Sequence, residues 1–130
     1  MASIFTRIVQ GEIPCHRIAE NDDFLAFLDV MPLVEGHVLV IPKTETDYIF
    51  DLDEDHFTRL WAFAKSVAPA IEKAIPCRRI GIAVIGLEVP HAHIHLVPLN
   101  TVGDINFSKP KLQPTQEALK DTADKIRQFI

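Results

Sequence analysis

Apolar and polar positions follow two different periods along this chain, and the change from one to the other sets out its elements. Ser3 is followed by Ile4, Phe5 and Ile8, which share one side of a short helix running to about Gln10, and Gly11 reads as its stop. Cys15 to Ala19 and Phe24 to Val30 read as two short strands joined by the turn Asn21-Asp22-Asp23. Gly36 precedes a third strand, His37 to Ile41, which Pro42 closes. Phe57, Leu60, Trp61, Ala64, Ala68 and Ile71 then fall at helical spacing and form one apolar stripe, with Asp51 and Glu54 at capping-box spacing ahead of it. Phe57 and Trp61 are expected in core packing. Pro69 is expected to kink the last turns or to end the helix early. Arg79 to Ile85 reads as a fourth strand, Gly86 to Pro90 as a tight connection and His91 to Pro98 as a fifth strand. Residues 101–114 hold Gly103, Pro110 and Pro114 and read as a loop. Thr115 caps a final helix with Leu119, Ala123, Ile126 and Ile130 on one side, expected to pack against the domain or a partner subunit.

Composition narrows the class. A chain of 130 residues, 48% hydrophobic and 24% charged, suits one globular domain with a single core. No apolar run approaches the roughly 20 residues of a membrane-spanning helix, so no membrane association is expected. The start, MASIFTRIVQ, lacks a basic cluster followed by a long apolar stretch, and no secretory leader is expected. Cys15 and Cys77 are too few for a disulfide scaffold or a four-cysteine metal site; they are expected as ordinary reduced thiols in a cytoplasmic protein. The net charge of −5 argues against a duplex nucleic-acid binder but not against a pocket for one mononucleotide.

The chemistry lies in His91-Ala92-His93-Ile94-His95-Leu96-Val97-Pro98. Side chains two apart in a strand share a face, so the three imidazoles should point the same way, about 7 Å apart, with Ala92, Ile94 and Leu96 on an apolar opposite face. Three imidazoles fill a core poorly, because each unpaired buried polar group costs about 1–3 kcal/mol. A chance polar face on an edge strand explains one His better than three in strict alternation. Two readings stay open on spacing alone. His-x-His on a strand supplies two ligands of a metal site, with His95 or His37 as a third. Alternatively, a neutral imidazole attacks phosphorus while neighbouring imidazolium groups stabilise the phosphoryl oxygens and protonate the leaving group. His16 and His56 fit neither pattern and are expected as solvated surface residues.

The His-Ala-His-Ile-His-Leu-Val run resembles the signature of the histidine triad (HIT) superfamily of nucleotide hydrolases and transferases, in which three His alternate with apolar residues. Ser3-Ile4-Phe5 through Gly11-Glu12-Ile13-Pro14 resembles the start of its Hint-like branch. Phe27-Leu28-Asp29-Val30 and Pro32 to Lys43 resemble its ribose-binding strand and its Gly-His strand, so the resemblance covers roughly residues 3–100. It implies an α+β fold: a five-stranded antiparallel sheet with a long helix, a short N-terminal helix and a C-terminal helical extension. Residues 1–100 would form the HIT-like domain and 101–130 a loop-and-helix extension of the same domain, and two copies would pair into a homodimer with a continuous sheet. It implies a purine mononucleotide-containing substrate, with no cofactor and no catalytic metal. By residue, His93 resembles the nucleophile that forms a covalent nucleotidyl-imidazole. His91 and His95 match the flanking positions, the first orienting the site partly through its carbonyl and the third touching phosphate. His37 matches the fourth family His, Asp29 the ribose ligand and Val30 a base-pocket position.

Unaided chemistry fits these roles, since a carboxylate accepts from two ribose hydroxyls and the amides around Gly86, Glu88 and Val89 could cradle phosphate oxygens. The expected activity is hydrolysis of a nucleoside phosphoramidate or a dinucleoside polyphosphate at the α-phosphate. The alternatives are a nucleotide-binding interaction protein with negligible turnover, or a His-ligated metalloenzyme. Three departures from the family stand out. Leu87 occupies a position often held by Gln or a small polar residue, and the connection before the triad is short and lacks an Asn. Ser3 and Thr6 stand where some bacterial relatives carry the Cys of a structural zinc site, which is therefore expected to be absent.

Overall fold

Two short stretches, Phe24–Leu28 and Val38–Pro42, are buried on both faces and form the middle of a single sheet. In chain order the elements are α1 (Ile4–Val9), β1 (Arg17–Glu20), β2 (Phe24–Leu28), β3 (Val38–Pro42), α2 (Glu54–Ala74), β4 (Arg79–Ala83), β5 (Ile94–Leu99) and α3 (Gln116–Arg127). Single 3-10 turns lie at Ile49–Asp51 and Val102–Ile105. This computed structural model describes residues 1–130. The strands order β1-β2-β3-β5-β4, every neighbouring pair antiparallel, which is the expected α+β arrangement.

The alternation of side chains along the central strands divides the core in two. Phe24, Ala26, Leu28, Val38, Val40, Ile94 and Leu96 face Leu60, Ala64, Val67 and Ile71 of α2 and Leu119, Ala123 and Ile126 of α3. Leu25, Phe27, Leu39 and Ile41 face the other way and meet Phe5 of α1. The C-terminal helix thus belongs to the main core, although Ile130, expected on its apolar side, lies past the helix end and is 61% exposed. No helix is long and apolar enough to cross a membrane.

Several boundaries differ from the expectations for identifiable reasons. The α2 cap is Asp53, whose Oδ1 accepts from the His56 amide at 2.7 Å; Asp51 ends the preceding 3-10 turn instead. Pro69 does not end α2. The ring removes the bond to the Lys65 carbonyl, but both residues are exposed, so water can serve that acceptor. β2 stops at Leu28 because Asp29 turns the chain, its Oδ1 accepting from the Met31 amide at 2.9 Å. Gly36, at φ +90°, makes the turn into β3; a Cβ there would sit 2.8 Å from Ile75 Cγ1, so glycine is required twice over. His56 is half-buried against the Phe24 ring at 5.2 Å, and His16 Nε2 bonds Gln116 Oε1 at 2.8 Å, so neither is a freely solvated residue. Phe57 and Trp61 pack only partly against the core and line an open cleft with Phe50.

Ile126 is fully buried under the sheet. Ile126→Ala is expected to cost about 2–5 kcal/mol in denaturant unfolding, as for other buried large-to-small changes. A loss below about 1 kcal/mol would show that α3 is not part of the cooperative core.

Candidate active site

The ladder of β5 begins at Ile94, so only His95 of the triad lies within the strand. The expected strand from His91 is cut short because its β3 neighbour ends in Pro42, which has no N–H to give. The amides of His91 and Ala92 bond instead to the Val89 carbonyl (2.8 Å) and the Thr46 carbonyl (2.7 Å). The alternation of faces nevertheless persists. Ala92 and Ile94 lie in the α2-side core, while the His91 and His93 rings meet Phe5 edge-on at 5.8 and 5.0 Å. The His93 and His95 rings are 4.8 Å apart, closer than the ideal strand spacing.

Each ring has at least one nitrogen committed, and the commitments fix the tautomers. His37 Nδ1 accepts from the Leu33 amide at 3.1 Å, so the proton of neutral His37 is on Nε2. That Nε2–H donates to His95 Nδ1 at 2.9 Å, which places the His95 proton on Nε2. His91 Nε2–H donates to the Pro42 carbonyl at 2.8 Å, and its Nδ1 accepts from the Ser3 hydroxyl at 2.8 Å. His93 Nδ1–H donates to the His91 carbonyl at 2.7 Å, leaving the lone pair on Nε2. Burial holds His37 down to about 4 and His95 down to about 3, with the His91 ring shifted the same way. The imidazolium neighbours expected from the sequence are therefore neutral rings: His95 offers a hydrogen bond rather than a charge.

A second network, unforeseen from the sequence, anchors His91. Thr6 Oγ1 donates to Glu45 Oε1 at 2.6 Å, the Ser3 amide donates to the same oxygen at 2.7 Å, and Ser3 Oγ also caps α1 through the Thr6 amide at 3.0 Å. The Thr6 hydroxyl and the Ser3 amide hold the Glu45 carboxyl down to about 2. Ser3 was legible as a cap; Glu45, 42 residues away, carried no local signal.

The nucleotide-pocket candidates also converge. Asp29, Val30, Gly86, Glu88 and Val89 line a cavity of about 470 Å³ together with His93 and His95. His91 and His37 lie fully buried behind it. Burial raises the Asp29 carboxyl, the Met31 amide and the Lys111 charge opposing this; its Oδ2 stands 3.8 Å from His37 Nε2. Gly86 takes φ +77°, and none of the amides of residues 86–89 donates to a protein acceptor. Leu87 is 88% exposed. Two further lining residues, Phe107 and Lys111, come from the segment read as a plain loop, and nothing in its Pro/Gly pattern marked them. The Phe107 ring stands edge-on to His95 at 4.7 Å.

Asp29, His37 and His95 each offer a ligand atom, all within 4.8 Å of one another. Two nitrogens on one tetrahedral zinc sit about 3.4 Å apart. His37 Nε2 and His95 Nδ1 are 2.9 Å apart and hydrogen-bonded, so an ion there would have to displace that bond.

Sheet order, buried triad and cavity together define a HIT-type domain. The HIT domain family matches residues 10–102, and the chain belongs to that family. It is 36% identical over 133 residues to the adenosine 5′-monophosphoramidase hnt1 of Schizosaccharomyces pombe, covering 100% of this chain and 99% of that protein. It is 33% identical over 135 residues to an uncharacterised HIT-like protein of Borreliella burgdorferi, covering 98% and 97% of the two chains. Among solved structures, a HIT-like protein of Bartonella henselae superposes with a TM-score of 0.84 at 30% identity, over 98% of this chain and 96% of that one. A zinc-bound histidine triad protein of Mycobacterium smegmatis gives 0.84 at 28% identity, over 98% and 92%.

The lowered His37 and His95 values set a pH dependence. Below their ordinary value of 6.5 the unfolded chain takes up protons at these positions that the folded chain refuses down to about 4 and about 3. Stability should therefore fall on acidification from about pH 6.5 to about pH 4. Denaturant midpoints across that range check this, and His37→Asn should flatten the slope whatever it does to stability at neutral pH.

Proposed function

We propose that this protein is a nucleotide hydrolase that cleaves a nucleoside phosphoramidate or a dinucleoside polyphosphate at the α-phosphate, through a covalent nucleotidyl group on His93. The observation that carries the reading is the 2.7 Å bond from His93 Nδ1–H to the His91 carbonyl, which leaves Nε2 unprotonated and free in a cavity of mononucleotide size. In the first step Nε2 attacks phosphorus and the P–N or P–O bond breaks. Its electron pair leaves with the amine or phosphate, which takes up a proton from water. In the second step water attacks, the P–Nε2 bond breaks, a proton is released, and a nucleoside monophosphate leaves. His95 Nε2–H supplies a hydrogen bond to a phosphoryl oxygen, and the free amides of Gly86 to Val89 supply others. Asp29 accepts from the ribose hydroxyls, and Val30 lies beside a purine base. Support comes from the phosphoramidase name carried by the fission-yeast relative.

His93→Ala is expected to abolish release of AMP from an adenosine phosphoramidate while leaving the circular dichroism of the fold close to wild type. Equal rates in the two proteins would remove His93 from the nucleophile role. Micromolar AMP binding by a wild type that releases no product would instead favour a nucleotide-binding interaction protein.

We also propose that two copies pair through β4, the edge strand beyond β5. Its outer surface leaves Ile82 54% exposed, and Phe50, at 68%, lies across the adjoining cleft. An exposed apolar edge strand is a template for pairing with a second chain. Light scattering should give twice the chain mass, and Ile82→Lys should shift the protein towards a monomer; a monomeric wild type would refute the pairing.

A further inference from the structure

The family match ends at residue 102, yet the wall of the site does not. Beyond that point the chain returns to the cavity and lines it with Phe107 and Lys111. The Leu112 amide bonds the Pro32 carbonyl at 2.9 Å, tying the returning segment to the turn that carries Asp29. Phe107 covers His95, and Lys111 lines the cavity beside Asp29, Glu88, His93 and His95.

Lys111 differs from the other fixed lysines. Lys43, Lys120 and Lys125 are paired with carboxylates, whereas Lys111 forms no ion pair although it is half-buried. An ammonium that no carboxylate of the chain engages stays available to an anionic ligand. It is also the one Lys or Arg lining a cavity that holds two carboxylates, Asp29 and Glu88. A phosphate entering here finds hydrogen-bond donors from the imidazoles and backbone, and Lys111 as the single Lys or Arg side chain of the lining. Its charge also bears on Asp29, His37 and His95, from the ribose end of the pocket to the triad.

We infer that Lys111, supplied by the C-terminal segment in cis, is the phosphate-binding cation of this site, selecting nucleoside 5′-phosphates over uncharged nucleosides. The inference rests on the nucleotide reading above and deepens it: it gives the segment after residue 102 a part in substrate binding rather than in packing alone.

The test compares AMP and adenosine by calorimetry on the full chain. Lys111→Gln is expected to weaken AMP binding roughly ten- to a hundredfold, as for loss of one charge-assisted contact, with adenosine binding unchanged. Lys111→Arg should restore AMP binding to within about threefold, and Lys111→Glu should weaken it beyond the Gln variant. Unfolding midpoints of all three should match wild type, since the side chain contributes no pair to the fold. Equal losses for AMP and adenosine would overturn the assignment by placing Lys111 at the nucleoside end, and no loss for either would overturn it outright. A wild type that binds neither would bring down the nucleotide reading itself and this inference with it, whereas one that binds both equally would sink this inference alone. A wild type that prefers AMP, alongside a Lys111→Gln variant that keeps the preference, would sink this inference alone.

Discussion

The hydrogen bond from His93 Nδ1 to the carbonyl of His91 is the constraint on which the site turns. A free imidazole interconverts between two tautomers and rotates about its side-chain bonds. One short bond to a fixed carbonyl removes both freedoms and commits the lone pair to Nε2. The carbonyl can do this only because its own residue cannot move. The His91 ring is wholly buried, donating to Pro42 on one side and accepting from Ser3 on the other, so the main chain at 91 is held at both ends of the ring. Proline at position 42 serves twice: it ends the β3 ladder, releasing residues 91–93 from pairing, and it leaves a carbonyl to receive the His91 proton.

The two faces of the sheet divide the labour. The α2–α3 side is apolar and close-packed, and it supplies the rigidity that holds backbone positions such as 91 and 37. The α1 side is thin, a single aromatic layer of Phe5 and Phe27 with the imidazoles set against its edge. Phe5 touches both His91 and His93, so α1 excludes water from the rings as well as capping them through Ser3. On the other side Phe107 stands against the His37 and His95 rings at 6.2 and 4.7 Å, and burial of those two rings keeps them neutral.

How much of this the chain's letters carried depends on the range of each interaction. The alternation of His91, His93 and His95 against Ala92, Ile94 and Leu96 was legible because it is local and its period is that of a strand. It placed the faces correctly even where the ladder itself is absent. The helices and their Ser3 and Thr115 caps were legible for the same reason. The cap of α2 was misplaced because Asp51, Asp53 and Glu54 offer competing oxygens within four residues, and only the 3-10 turn at Ile49–Asp51 decides between them. Glu45, Phe107 and Lys111 were illegible. Each reaches the site from a segment without periodicity, and only the tertiary fold brings it to the residues it meets there, so no spacing rule applies.

The neutral rings of His37 and His95 bring no positive charge to a pocket lined by two carboxylates. In the reaction proposed above a phosphoryl group would carry negative charge into the pocket, where Asp29 and Glu88 already line the wall. Backbone amides and ring N–H groups screen that charge through dipoles, which fall off more steeply with distance than a full charge does. Protonating His95 or His37 would supply charge, but it would also break the donor order that runs from Leu33 through His37 to His95, since each ring has only one nitrogen free to accept. This donor order and a charge on His37 or His95 are thus mutually exclusive. On the proposed reading a cation from outside the triad, Lys111 of the returning C-terminal segment, would supply that charge without disturbing the bonds from Leu33 through His37 to His95.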